Sequence, residues 1–109
     1  KEFLPNPSSL SENYSGKTCI GCLISGTKNG KQKKIFIYNT CSHEESHNEL
    51  KSQAVSYTTA IPALLGASLI SKGIWTGSGT LNVEEMDPDP FMKELPHLGL
   101  PWKIHNYWW

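Results

Sequence analysis

The chain has 109 residues and a mass of 12.2 kDa, and its basic and acidic residues number ten each. A hydrophobic content of 38% with 18% charged residues excludes classical disorder, and the zero net charge removes long-range attraction to nucleic acid or to an anionic membrane. The longest apolar run, around residues 60–70, is interrupted by Pro62, Gly66 and Ser68 and is too short to span a bilayer. We therefore expect one domain, or part of one, with no nucleic-acid or membrane partner.

The first regular element that the sequence predicts is a β-hairpin. Residues 1–16 are rich in Pro, Ser and Asn and are expected to form a loop or linker. Residues 17–25 and residues 33–40 contain the β-branched and aromatic side chains typical of strands, and Asn29-Gly30 between them is a strong turn signal. We predict an antiparallel hairpin with strands at about 17–25 and 33–40.

Two helices are predicted to follow the hairpin. Residues 43–50 form a short polar segment, either a helix or a turn, and residues 59–72 form a stronger helix. Thr58 or Thr59 is the expected N-cap of the second helix, with a proline in its first turn and Gly73 as its left-handed stop. Its apolar side chains nearly encircle it, so we expect it to be buried on most sides by surfaces that a chain of this size cannot supply alone.

The remaining elements are short. Residues 79–83 are predicted to form a third strand, and a short helix is expected to begin with Asp89 as N-cap and Pro90 as its first residue. Gly99 is the expected end of this helix, and residues 100–105 are predicted to form a last strand. The predicted fold class is α+β, a small, mostly antiparallel sheet with two or three helices.

Both ends of the chain suggest part of a larger protein. The chain begins at Lys1 without an initiator Met or a signal peptide, and three of its four tryptophans lie within the last eight residues. Indoles at a chain end favour a surface to pack against. Because no secretory signal is visible, we expect a cytoplasmic protein with reduced cysteines.

The cysteines raise the possibility of a metal site. Cys19, Cys22, Cys41 and His43 form a Cys₃His set of the kind that zinc prefers. Residues three apart on a strand point to opposite faces, so Cys19 and Cys22 converge only if the strand is distorted. Buried thiols without a metal are the favoured interpretation, and a small zinc protein remains an alternative.

Two other segments carry polar side chains suited to chemistry. Within residues 38–45, His43 can exchange protons near neutral pH, and the carboxylates of Glu44 and Glu45 can hold a cation. A solvated loop with an acidic helix start is the alternative for this segment. Residues 53–62 enter the apolar helix, where free amides can bind an anion, although ordinary capping explains the same residues.

Five short segments, in order, carry a family resemblance. Together they resemble the C-terminal part of the carboxynorspermidine (carboxyspermidine) dehydrogenases, which are members of the saccharopine dehydrogenase family. The resemblance covers about residues 4–104. The segments are 53–62 (QAVSYTTAIP), 72–75 (KGIW), 82–85 (NVEE), 87–92 (DPDPFM) and 99–102 (GLPW).

The resemblance implies a domain organisation for the whole protein. Residues 1–104 would be the C-terminal part of the catalytic domain of a Rossmann-type two-domain dehydrogenase, and residues 105–109 a tail. The protein's own Rossmann domain would bind NADP, because this chain contains no G-x-G-x-x-G fingerprint. A homodimer is expected for the intact enzyme, and this chain alone is expected to be inactive.

The resemblance also implies a reaction, the NADPH-dependent reduction of the imine formed between aspartate β-semialdehyde and a diamine. His43 would then handle the proton, and Glu44 and Glu45 would bind the amine. The alternatives are a saccharopine dehydrogenase of lysine metabolism with an amino-acid substrate, a stand-alone interaction or dimerisation module, and the zinc protein. The expected cleft residues at the helix start are Tyr57, Thr58 and Thr59.

Overall fold

The computed structural model describes Ser9 and residues 13–107. Predictions that concern residues 1–8, residues 10–12 and the two terminal tryptophans therefore lie outside the described residues. The fold is α+β, as predicted, with a three-stranded antiparallel sheet and three α-helices. Its elements in chain order are β1 (Lys17–Lys28), β2 (Lys31–Ser42), α1 (His43–Leu50), α2 (Ala54–Ser71), a 3₁₀ turn (Val83–Glu85), α3 (Pro88–Glu94), a second 3₁₀ turn (Leu95–Leu98) and β3 (Trp102–Tyr107).

The predicted hairpin is confirmed, with longer strands. β1 and β2 have 12 residues each and pair in antiparallel register from Lys17 opposite Ser42 to Lys28 opposite Lys31. Asn29 and Gly30 form the turn with φ values of 54° and 73°, the left-handed conformation that Asn-Gly tolerates. The last predicted strand is β3, which pairs with the other edge of β2. The strand order is therefore β1-β2-β3.

The start of α2 differs from the prediction. The helix begins at Ala54, five residues before the predicted start, and Gln53 occupies the N-cap position without a side-chain cap bond. Thr58 and Thr59 are helix-interior residues, so their assignment as N-cap was wrong. The Oγ1 of Thr58 donates to the Ala54 carbonyl at 3.0 Å, and the Oγ1 of Thr59 donates to a carbonyl four residues back at 2.7 Å. A threonine hydroxyl can bond to the preceding turn or cap a helix, and local sequence does not separate the two.

Pro62 consequently lies inside α2 rather than in its first turn. The proline supplies no N–H to the helix. The other end of the helix agrees with the prediction, because Lys72 is the C-cap and Gly73 follows with a φ of 69°.

The predicted third strand at residues 79–83 is wrong. This segment is a loop that leads into the 3₁₀ turn, and a capping box closes it. The backbone N–H of Asn82 donates to Oε1 of Glu85 at 2.9 Å, while the Asn82 side chain accepts from the Glu85 N–H. This reciprocal pair stabilises a helical turn where β-propensity alone favoured a strand.

The start of α3 also shifts. Asp87, not Asp89, is the N-cap, and its Oδ1 accepts from the Asp89 N–H at 3.0 Å. Pro88 is therefore the first helical residue instead of Pro90. The sequence contains two Asp-Pro steps that satisfy the same capping rule, and the earlier one is used. Gly99 ends this helical region with a φ of 81°, as predicted.

The core of the described chain lies where α2, α3 and one end of the hairpin meet. Trp75 is buried and stacks on Phe91, with ring centroids 5.6 Å apart, and its Nε1 donates to the Asp87 carbonyl at 2.8 Å. Of the two hairpin strands, Cys41 and Ser42 alone are buried, so the rest of the hairpin extends away from the helices. The buried apolar residues are Cys41, Ala54, Tyr57, Leu65, Leu69, Trp75, Leu95 and Leu100.

The geometry of the hairpin decides the state of the cysteines. Cys41 is buried, as favoured, but Cys19 and Cys22 are exposed, so the interpretation of all three as buried thiols was wrong. Burial raises the pKa of the Cys41 thiol, and the carboxylates of Glu45 and Glu49 raise it further. Among residues 13–107 and Ser9, no three His, Cys, Asp or Glu side chains are grouped so as to hold a metal ion.

α2 is long and apolar, and only part of it is covered. By length and composition only, its 18 residues satisfy the requirement for a membrane-spanning helix. The apolar run around residues 60–70, which alone is too short to span a bilayer, is part of this longer helix. Val55, Leu64 and Ile70 are each more than half exposed. A core helix of a larger protein has the same composition. The exposure agrees with the expectation that this chain does not cover the helix alone.

We predict that Gly21→Ala lowers the free energy of unfolding by about 1–3 kcal/mol, the usual effect of overpacking. A Cβ at Gly21 would lie 2.5 Å from the Ile37 carbonyl oxygen and from the Tyr38 Cβ on the paired strand. Gly26→Ala is the matched control, because its Cβ would meet no atom within 4 Å. Urea denaturation of the two variants checks this, and equal stabilities would contradict it.

Candidate functional site

The junction between β2 and α1 is held by a small hydrogen-bond network around Ser42. Ser42 caps α1, its Oγ accepting from the Glu45 N–H at 3.4 Å and donating to Oε2 of Glu44 at 2.7 Å. The other carboxylate oxygen of Glu44 accepts from the Gly16 N–H at 3.4 Å. The Ser42 hydroxyl bond, with backbone N–H groups, lowers the pKa of Glu44. Glu44 thus ties the segment before β1 to the start of α1.

His43 connects α1 to α2. Its backbone N–H donates to the Gly16 carbonyl at 3.0 Å, and its Nδ1 accepts from the Ala54 N–H at 3.2 Å. Ala54 is the first residue of α2, whose N–H has no acceptor within the helix, so the imidazole takes the place of the missing cap on Gln53. An Nδ1 that accepts a hydrogen bond places the proton of the neutral ring on Nε2. His43 therefore positions α2 and carries a donor on its second nitrogen.

A cavity of about 270 Å³ lies beside this junction. Glu45 and Glu49 are four residues apart on α1, so their carboxylates share one face of the helix. The hydroxyl of the buried Tyr57 lies 3.4 Å from Oε1 of Glu49 and 3.1 Å from the Leu98 carbonyl. The cavity is lined by Thr40, Cys41, Glu45, Ser46, Glu49, Tyr57 and Gly99.

The charge of this cavity is negative. Burial raises the pKa of Tyr57, and Glu49 raises it further by its charge and its hydrogen bond. The pKa of Cys41 is raised by burial and then by Glu45 and Glu49. Both the phenol and the thiol therefore stay protonated at neutral pH, and the two carboxylates supply the charge. Such a cavity favours a cationic ligand, above all one that can donate hydrogen bonds.

The structure brings some of the predicted site residues together and separates others. Glu45 and Tyr57 line the same cavity, while His43 and Glu44 lie at the adjoining helix junction. The hydroxyls of Thr58 and Thr59 donate to backbone carbonyl groups of α2. Thr58 is buried and Thr59 is exposed. The structure does not test the roles of these residues in substrate binding, so those roles stay predictions.

Glu49 and Gly99 are among the cavity residues that the sequence analysis missed. Glu49 lies four residues after Glu45, and this spacing on a predicted helix would have placed both carboxylates on one face. Gly99, on the far side of the cavity, was read only as a helix end. A Cβ at this position would collide with the Tyr57 hydroxyl. No local signal indicates that close approach, because it joins residues distant in sequence.

The Rossmann site for the nicotinamide cofactor implied by the resemblance does not lie in the described part of this chain. Binding of a dinucleotide through a Rossmann fold requires a glycine-rich turn between a strand and a helix. The sequence contains no G-x-G-x-x-G motif, and in the described residues the strand that leads into a helix, β2, ends in Thr40-Cys41-Ser42. We assign no cofactor-binding role to residues of this chain.

Comparison of the sequence with known proteins identifies relatives of this chain. A carboxyaminopropylagmatine dehydrogenase from Synechocystis is 54% identical over 102 residues, which are 94% of this chain and 26% of that protein. Carboxynorspermidine synthases from Vibrio alginolyticus and Vibrio cholerae are 43% and 41% identical over 97% and 95% of this chain, and over 26% and 25% of their own lengths.

The chain thus spans about a quarter of the length of these relatives. The sequence profile of the saccharopine dehydrogenase C-terminal domain matches residues 1–100, nearly the whole chain. The resemblance seen in the five segments is therefore confirmed. The chain belongs to the saccharopine dehydrogenase family and corresponds to the C-terminal domain of its members.

Proposed function

We propose that this chain is the later part of the catalytic domain of a dehydrogenase of polyamine biosynthesis. The intact enzyme would reduce the imine formed between aspartate β-semialdehyde and a diamine, giving carboxynorspermidine or carboxyspermidine. The observation that carries the proposal is the negatively charged cavity between α1 and α2, with Glu45 and Glu49 on one wall and Tyr57 on the other. The names of the relatives support it, since each contains a carboxylated polyamine.

The two carboxylates suit the part of a diamine that does not react. A diamine must present one neutral amine to the aldehyde while its other nitrogen stays protonated at neutral pH. Glu45 and Glu49 can both accept hydrogen bonds from that ammonium group, and the Tyr57 hydroxyl adds a neutral partner. Charge-assisted hydrogen bonds of this kind contribute about 1.5–3 kcal/mol each. The cavity would thus hold the distant ammonium group and orient the reacting end.

His43 is the proposed proton-handling residue. Reduction of a C=N bond is easier when the nitrogen is polarised, and the neutral ring can donate a hydrogen bond to that nitrogen from Nε2–H while Nδ1 accepts from Ala54. The reductant expected for the reaction is NADPH, held by a Rossmann domain elsewhere in the polypeptide. The Glu44 carboxylate accepts hydrogen bonds from Ser42 and Gly16, so it would bind the substrate only if those hydrogen bonds break.

The proposal also includes the localisation and the partners of the enzyme. We place it in the cytoplasm, with small molecules and neither nucleic acid nor a membrane as partners, and we expect this chain alone to be inactive. The runner-up is a saccharopine dehydrogenase of lysine metabolism, which the family name favours. The names of the relatives favour the polyamine reaction over it.

The full-length polypeptide is expected to consume NADPH when it is given aspartate β-semialdehyde together with an amine. The amines to compare are 1,3-diaminopropane, putrescine and agmatine, agmatine being included because it appears in the name of the Synechocystis relative. Loss of NADPH absorbance and mass spectrometry of the product measure the reaction. Turnover with saccharopine and none with these amines would favour the runner-up.

Glu45→Gln and Glu49→Gln are each expected to raise the KM for the amine about tenfold or more, which corresponds to about 1.4 kcal/mol of lost binding. Glutamine keeps the shape and an oxygen acceptor for Tyr57 but removes the charge. The KM for the aldehyde should stay within about twofold. Glu94→Gln, an exposed residue of α3 outside the cavity, is the control. Equal KM values for wild type and both variants would remove these carboxylates from the amine site.

His43→Asn and His43→Ala separate the two roles of His43. Asparagine can present an oxygen to the Ala54 N–H, so we expect His43→Asn to keep its stability and to lose turnover by about 10²–10⁴-fold. His43→Ala should lose turnover and also about 0.5–1.5 kcal/mol of stability, because the amide of Ala54 loses its acceptor. Thermal melting and kcat measure the two effects. Full activity of His43→Asn would make His43 a structural residue only.

A further inference from the structure

The hydroxyl of Tyr57 lies between two hydrogen-bond acceptors and has a single hydrogen to donate. The Leu98 carbonyl oxygen is 3.1 Å from the phenol oxygen, and Oε1 of Glu49 is 3.4 Å from it. The Tyr57 side chain is 5% exposed, so packing fixes its ring while the hydroxyl hydrogen can still turn. The hydroxyl can therefore donate to the carbonyl or to the carboxylate, and its lone pairs are then available on the other side.

Gly99 makes this arrangement possible. A Cβ at this position would collide with the Tyr57 hydroxyl and would lie 3.2 Å from the ring carbon that carries it. The residue also has a φ of 81°, in the left-handed region that favours glycine. Because Gly99 has no side chain, the phenol can approach the backbone closely enough to donate to the neighbouring Leu98 carbonyl.

A cation in the cavity would change which acceptor the Tyr57 hydroxyl uses. Without a ligand the charge of Glu49 attracts the hydroxyl hydrogen, and burial, this charge and the hydrogen bond to Glu49 all raise the pKa of Tyr57. When an N–H of a cation donates to Glu49 instead, the hydroxyl hydrogen can turn to the Leu98 carbonyl and keep a hydrogen bond. The lone pairs of the phenol oxygen then face the cation.

We propose that Tyr57 determines specificity for the cationic end of the substrate by accepting a hydrogen bond from it, with Leu98 and Gly99 as positioning residues. This inference rests on the proposed function, because it takes the cavity as the amine site. Glu45, Glu49 and Tyr57 then supply three acceptors from two walls of the cavity. The group that satisfies all three carries at least three N–H donors, as a primary ammonium or a guanidinium does.

The number of N–H groups, and not charge alone, would decide binding. A tertiary ammonium has the same charge as a primary one but a single N–H, which a carboxylate would take because charge-assisted hydrogen bonds are the strongest. The Tyr57 oxygen would then face methyl groups instead of a donor. None of the described residues that line the cavity is basic, so the ligand supplies the charged donors for both carboxylates.

The test measures dissociation constants of the full-length polypeptide by calorimetry, with NADPH present and the aldehyde left out so that no turnover occurs. Each probe has a single cationic end: propylamine, propylguanidine and N,N-dimethylpropylamine, the last of which keeps the charge but has one N–H when protonated. Wild type is expected to bind propylamine or propylguanidine about tenfold or more tightly than the dimethylated probe. Whichever of the two binds more tightly identifies the cationic end as an ammonium or a guanidinium.

Tyr57→Phe is expected to lower this preference about fivefold or more, because the donor-rich probes lose an acceptor that the dimethylated probe does not use. Steric exclusion of the methyl groups would persist in this variant, so the change in preference isolates the hydrogen bond. Tyr38→Phe, on β2 and outside the cavity, is the matched control and should keep the wild-type preference.

Gly99→Asn tests the positioning role. Asparagine tolerates the left-handed conformation, but its Cβ would displace the Tyr57 hydroxyl, so the preference should fall as it does in Tyr57→Phe. The double variant of both changes should lower the preference no further, whereas an independent structural effect would add to it. Gly73→Asn, at a φ of 69° with no atom within 4 Å of its Cβ, is the control.

An unchanged preference in Tyr57→Phe would overturn the proposal, and so would the lack of measurable affinity for either donor-rich probe. A preference that survives in Gly99→Asn would remove the positioning role of Gly99. Turnover of diamines by an enzyme whose preference ignores Tyr57 would leave the proposed function standing and refute this inference alone. The expected preference without turnover of any amine would contradict the proposed function and support the binding role of Tyr57.

Discussion

The hydrogen bond from the first amide of α2 to Nδ1 of His43 sets the arrangement of the whole candidate site. It links the first residue of α1 to the first residue of α2, the two helices that place Glu45 and Glu49 in the same cavity as Tyr57. It also decides which nitrogen of His43 carries a proton. The imidazole thus holds the junction through Nδ1 and leaves Nε2–H as the donor to which the proposal gives a role in the reaction.

The cavity illustrates how burial and charge act together. Glu45 and Glu49 are exposed residues of α1, and Cys41 and Tyr57 lie in the core. Both carboxylates nevertheless raise the pKa of Cys41, and Glu49 raises the pKa of Tyr57. The buried thiol and phenol are kept neutral, so negative charge collects on the solvent side of the cavity alone. A cation that enters from solvent meets the carboxylates first and does not have to cross into a region of low dielectric.

Basic and acidic residues lie in different parts of the fold. The hairpin is basic and leads away from the core, whereas the acidic residues are concentrated on the helical side. Zero net charge, which at the level of composition excluded a strong electrostatic partner, conceals this separation.

Local elements with short sequence signals could be predicted from the sequence alone. The Asn29-Gly30 turn, the stop at Gly73 and the end at Gly99 depend on φ values that a few residues dictate, and the five matching segments were enough to indicate the family. Tertiary structure decided the rest. Ala54 rather than Thr59 begins α2 because His43, eleven residues earlier, supplies the acceptor that a local cap would have provided. Glu49, Tyr57 and Gly99 share a cavity because packing joins elements more than 40 residues apart, and no periodicity of a single helix or strand carries that information.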